Sequence, residues 1–78
     1  MSDDPPIIFS RHALTKLEQR HITKEIVSKT ILKPAYITAY GDGFQAFRRF
    51  GKRYLKVIFA RTQNSVIVIT QYFVKKLS

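Results

Sequence analysis

At Pro34 the spacing of apolar residues changes from helical to strand-like, which settles where this chain can place helix and where sheet. A residue before proline is pushed out of the helical region, so a helix running into Lys33-Pro34 must stop there. Upstream, Ser10 reads as a helix N-cap with Phe9 placed to staple against Leu14. Ala13, Leu14 and Leu17 give that helix its apolar face. Thr23 caps a second helix, with Ile22 set against Val27 and Glu25 in the first turn. Ile26, Val27, Thr30 and Ile31 supply its buried stripe. Downstream come four alternating runs, 35–40, 44–50, 53–61 and 65–76. Gly41-Asp42-Gly43, Gly51-Lys52 and Gln63-Asn64 separate them as tight turns. Ile7-Ile8-Phe9 adds a brief strand before the first helix. The expected fold is α+β in the order (β)ααββββ, an antiparallel four-stranded meander packed on two N-terminal helices. Residues 1–6 read as a disordered tail and 7–78 as a single domain.

Hairpin register turns that order into a surface. With Asp42-Gly43 as the turn, Tyr40 pairs with Gln45, Thr38 with Phe47 and Tyr36 with Arg49. With Gly51-Lys52 as the next, Arg49 pairs with Tyr54 and Phe47 with Lys56. Opposed residues share a side of the sheet. One face then shows Tyr36, Thr38, Tyr40, Gln45, Phe47, Arg49, Tyr54 and Lys56. Ile37, Ala39, Phe44, Ala46, Phe50, Leu55, Val57 and Phe59 take the helix side, together with Arg48. Tyr72 stays open: a two-residue loop at Gln63-Asn64 puts it beneath the sheet, a three-residue loop beside Lys56. Val66-Ile67-Val68-Ile69 is apolar on both sides and reads as a central strand.

Charge singles out the same half. From Gly43 to Ser78 there is no acidic residue but eight basic ones, and the first 42 residues contribute only +1 of the net +9. Aromatic rings interleaved with cations on a sheet suit stacking on bases and contact with phosphates, so RNA or another nucleic acid is the expected partner. Tyr36, Tyr40, Phe47, Tyr54, Lys52, Arg53 and Arg61 are its candidate binding residues. The absence of cysteine excludes disulfides and thiolate metal sites, and no His/Asp/Glu group has metal-ligand spacing. No cofactor or metal is expected. The polar, acidic N-terminus and the lack of a long apolar run give a cytoplasmic expectation without membrane contact. A core this small makes a homodimer or a dedicated partner unsurprising.

Phe9-Ser10-Arg11-His12-Ala13 and Glu18-Gln19-Arg20-His21-Ile22 resemble the opening of a family of small uncharacterised bacterial proteins. Pro34, the run from Phe47 to Arg53 and the closing Val66-Ile67-Val68-Ile69-Thr70-Gln71-Tyr72 continue the resemblance, which spans residues 9–73. The family position often held by glycine is His21 here. That family looks related to the RelE/ParE-like and BrnT-like toxins of toxin–antitoxin systems. The resemblance implies a RelE-like layout, a metal-independent endoribonuclease and control by an acidic antitoxin protein. Its alternatives are a non-catalytic nucleic-acid-binding module and a ParE-like inhibitor that binds another protein. Metal-free RNA cleavage needs a proton acceptor, cations for the phosphorane and a proton donor. Histidine exchanges protons near neutral pH, which makes His12 the acid/base candidate. Arg49 and Lys56 are the expected clamps, Arg48 is a further candidate, and Tyr54 or Tyr72 would stack or donate a proton.

Overall fold

The sheet gathers five strands, and the additional one comes from the far end of the chain. The computed structural model describes residues 4–75, so residues 1–3 of the expected tail and Lys76 lie outside the described residues. In chain order the elements are β1 (Ile7–Phe9), α1 (Arg11–Arg20), α2 (Lys24–Leu32), β2 (Tyr36–Tyr40), β3 (Gly43–Phe50), β4 (Arg53–Arg61) and β5 (Val66–Val74). The sheet order is β1-β5-β4-β3-β2, with β1 parallel to β5 and the other pairs antiparallel. This corrects the four-stranded antiparallel meander. Ile7–Phe9 pairs with Val66–Val68, and Val66 N–H donates to Pro6 O at 2.9 Å. Flanked by β1 and β4, Val66-Ile67-Val68 is central, as its two-sided apolar pattern predicts.

Both helices begin at their expected caps. Ser10 Oγ accepts from Ala13 N–H at 3.1 Å, and Thr23 Oγ1 from Ile26 N–H at 3.3 Å. α1 meets the sheet through Ala13 and Leu17, while Leu14 is 43% exposed, so the expected Phe9–Leu14 staple does not bury it. Val27, Thr30 and Ile31 form the stripe of α2, and Thr30 Oγ1 donates back to Ile26 O at 2.8 Å. α1 ends at His21, whose φ of 54° is left-handed and whose N–H returns to Glu18 O. Glycine adopts that conformation without the Cβ penalty, which is the physical reason for glycine at such a helix end. His21→Gly is therefore expected to raise stability by about 1 kcal/mol, read as a shift in urea midpoint at constant slope.

Two features of register decide what the sheet displays. The first turn is Gly41-Asp42, with Gly41 at φ 58° and Tyr40 paired to Gly43. The β2–β3 pairs thus slip by two from the expected register, Tyr36 meeting Phe47 instead of Arg49. An even slip leaves every side chain on its expected face. Gly43 is required inside β3 because a Cβ there would stand 2.5 Å from the Phe59 carbonyl oxygen. The β3–β4 register is the expected one, with Phe47 opposite Lys56 and Arg49 opposite Tyr54.

The last hairpin combines the two alternatives. Arg61 pairs with Val66 and Phe59 with Val68 around a two-residue loop, but Ile58 pairs with Thr70. Ile69 is the extra residue of a β-bulge, which turns the rest of β5 over. Gln71 becomes fully buried, and Tyr72 lies opposite Lys56. The start of α1 holds the bulge: Ser10 N–H donates to Val68 O at 3.0 Å and Ser10 Oγ to Ile69 O at 3.2 Å. Gln71 Nε2 donates to Ala13 O at 3.0 Å beneath the sheet, while its Oε1 has no hydrogen-bond partner among the described residues.

α1 packs on β5 and β1, and α2 on β4 and β3, so both helices cover one face. Between them lie Ala13, Leu17, Val27, Ala46, Leu55, Val57, Phe59 and Val68 in one core. No described helix lies on the other face. No described helix is long and apolar enough to cross a membrane.

Candidate functional site

The uncovered face follows from strand parity. Lys56 lies near its middle, half-buried, between residues contributed by three strands. Its ammonium stands 5.4 Å from the ring centre of Tyr72 and 5.8 Å from those of Tyr40 and Phe47. Rings at that range attract a cation through their quadrupoles, by about 0.5–1 kcal/mol where solvent still reaches the cation. They accept no conventional hydrogen bond. The three N–H donors of Lys56 have no acceptor among the described residues, and no carboxylate neutralises it there.

Arg20 approaches the same group from the edge of the sheet. Because β1 covers β5 only over Val66–Val68, the lower half of β5 leaves an edge on which α1 ends. Arg20 Nη1 donates to Gln71 O at 2.7 Å and lies 3.5 Å from Thr70 Oγ1. Its guanidinium is 5.6 Å from the Tyr72 ring centre. Tyr72 therefore has Arg20 and Lys56 as cationic neighbours. Sequence reasoning did not select Arg20, although a signal existed. Ala13, Leu17 and Arg20 are spaced i, i+4, i+7, so an arginine continues the buried stripe and must face the sheet.

The remaining aromatic residues divide by exposure. Tyr36 and Tyr40 are about half exposed, whereas Phe47 is only 4% exposed beneath Tyr36, 5.9 Å away between ring centres, and Lys56. Phe47 supports the tyrosines and offers no free ring of its own. Tyr54 is half-buried on the same face, opposite Arg49. Arg49 is exposed and its Nε donates to Gly51 O at 2.9 Å, which holds it over the turn where Lys52 is also exposed.

Three expected cations belong elsewhere. Arg48 Nη1 donates to Lys33 O at 2.6 Å and so caps the C-terminus of α2. Neither Glu18 nor His12 is its partner. Arg53 and Arg61 share the parity of Leu55, Val57 and Phe59, hence the helix side. Arg53 sits 4.1 Å over Phe73 and Arg61 5.3 Å over Phe44, closing the two ends of the core. His12 is exposed in the first turn of α1 and makes no hydrogen bond or ring contact with this group. The structure thus brings Lys56 and Tyr72 together with Arg20, keeps Arg49 on their face, and places His12 and Arg48 apart.

Beside Tyr40 the face hollows into a cavity of about 370 Å³ lined by Gly43, Ile58, Ala60, Ile69 and Thr70, with Asp42 at its lip. The absent side chain of Gly43 and the bulged Ile69 shape it. A second cavity of similar size lies near Ile31, Leu32, Arg61 and Ser65, away from Lys56. Among the described residues no three His, Cys, Asp or Glu side chains gather to hold a metal ion.

The family model described as Domain of unknown function (DUF4258) matches residues 9–73 of the chain. That span begins at Phe9 of β1 and runs to Phe73 beside Tyr72, taking in every element of the site. No curated protein and no solved structure gives a significant match.

Proposed function

The chain belongs to the DUF4258 family, a domain of unknown function, and from the chemistry of its uncovered face we propose that it binds single-stranded RNA there. The observation that carries this reading is Lys56, a cation set among Tyr40, Phe47 and Tyr72 with no anion beside it among the described residues. A phosphate would supply the missing acceptor. The half-exposed rings of Tyr36 and Tyr40 would stack on neighbouring bases, which is sequence-tolerant recognition. Arg49 and Lys52 extend the positive track along the hairpin end. Titrating a labelled mixed-sequence RNA strand at rising salt tests it. Binding that weakens steeply with salt is expected, and no retention even at low salt would sink the reading.

A toxin-like, metal-independent endoribonuclease with RelE-like layout is the second reading, favoured by Tyr72 lying between Arg20 and Lys56. The 2′-hydroxyl would attack the adjacent phosphorus and the bond to the 5′-oxygen would break, leaving a 2′,3′-cyclic phosphate and a 5′-hydroxyl. Tyr72 would move the proton, and Lys56 and Arg20 would face the phosphorane charge. An acidic antitoxin-like protein would compete for the same face. Incubation with RNA in EDTA separates the two readings. Cyclic-phosphate ends that vanish in Tyr72→Phe support cleavage, and their absence with RNA still bound leaves a non-catalytic module.

A further inference from the structure

The two edges of this sheet are treated differently. On one side β1 covers part of β5, and Arg20 takes the Gln71 carbonyl beyond it. On the other side β2 has no neighbouring strand among the described residues, with Tyr36 51%, Ile37 40% and Tyr40 50% exposed. Natural edge strands are protected from pairing by charge, proline, bulges or shortness. Between Tyr36 and Tyr40 there is no charged residue and no proline, and the register with β3 is unbroken.

The strand is also symmetric in kind about its centre. Tyr36-Ile37-Thr38-Ala39-Tyr40 reads tyrosine, apolar, threonine, apolar, tyrosine in both directions. An interface built on a two-fold axis needs such a self-complementary patch. We propose that two copies of this chain pair through β2, antiparallel about Thr38, into one ten-stranded sheet. In that register Tyr36 faces the partner's Tyr40 twice on the uncovered side, around a central Thr38 pair. Ile37 faces the partner's Ala39 on the helix side, a large residue against a small one. Aromatic and threonine pairs are among the favourable cross-strand combinations. Continued past β2, the same register sets Asp42 opposite the partner's Pro34, the neighbour of its Lys33, so opposite charges lie near each other at both ends.

A second copy is a reasonable partner despite the net charge of +9. Lys56 lies on β4, two strands in from the edge, so five strand spacings would separate the two lysines. At about 4.8 Å each that is roughly 24 Å, well beyond the Debye length of about 8–10 Å at ordinary salt. Pairing sets Tyr36 of the second copy beside Tyr40, next to the Lys56 group, and joins the two uncovered faces. A five-residue strand buries less than a standard interface of about 800 Å² per partner, so the dimer dissociates on dilution.

Sedimentation equilibrium over a wide concentration range tests it. Wild-type protein is expected to move from monomer to dimer, and Thr38→Lys, which sets two ammonium groups on the axis, to remain monomeric with an unchanged melting curve at low concentration. Should Thr38→Lys fail to fold, cysteine crosslinking reads the same geometry, because the chain has no cysteine of its own. Thr38→Cys, which meets itself across the axis, is expected to form a disulfide dimer several-fold faster than Tyr36→Cys, which meets a tyrosine. A monomer at every concentration, a dimer undisturbed in Thr38→Lys, or equal crosslinking at both positions would overturn the proposal.

Discussion

Lys56→Glu is expected to lower affinity for single-stranded RNA by at least about 100-fold at moderate salt. The substitution removes the cation at the middle of the uncovered face, whose hydrogen-bond donors have no acceptor among the described residues, and puts an anion in its place. Stability should change little, because the loss amounts to weak cation–ring contacts on a half-buried side chain, on the order of 1 kcal/mol. Lys56→Met keeps the aliphatic cover over Phe47 and drops only the charge. It is expected to weaken binding by about 10-fold and reduce the salt slope by about one. The control is Arg53→Gln with Arg61→Gln, which removes two charges from the helix side of the same strand. If the face is the site, that pair changes affinity by no more than about two-fold, through the general field alone. Equal losses from Lys56→Met and from the double variant would mean that total charge governs binding, and the site described here would fall.

That contrast also shows how far the sequence carries. Caps at Ser10 and Thr23, the break at Pro34, the Gly51-Lys52 hairpin and the face of every β2 and β3 residue are local properties, set by side-chain type and strand parity. The β2–β3 turn lies one residue earlier than expected, which slips the register by two, so the face survives. What local pattern does not encode is partnership across long separations. β1 is three residues of plain hydrophobicity, and only the tertiary fold tells it to lie parallel to β5. Val66 to Ile69 is apolar throughout, so nothing within it marks Ile69 as the bulge. Ser10 and Gln71 hold that bulge from 59 and 58 residues away from their partners. Arg48, Arg53 and Arg61 were legible as charges, but their partners were not. Each is absorbed by a helix end or an aromatic ring, leaving a smaller cationic site than composition suggests.

Phe59→Ala should have the largest effect on stability, about 3–5 kcal/mol. Phe59 is fully buried, stacks on Phe44 with ring centres 5.6 Å apart, and pairs with Val68 at the point where β5 begins to bulge. Its carbonyl oxygen is the atom that forbids a side chain at Gly43. The cavity left by the ring therefore opens where β3, β4 and β5 are most tightly fitted, with little freedom to collapse. A domain of 78 residues has a total stability of roughly 4–12 kcal/mol, so this one truncation removes a large share or all of it. Leu14→Ala, on an exposed face of α1, is expected to cost less than about 1 kcal/mol. Urea titrations of the two variants give the comparison directly. The pattern should invert that of Lys56→Glu, which folds and fails to bind, since Phe59→Ala binds RNA only in proportion to its folded fraction. A Phe59→Ala protein as stable as Leu14→Ala would show that the β3–β4–β5 junction is not the mechanical centre of this fold.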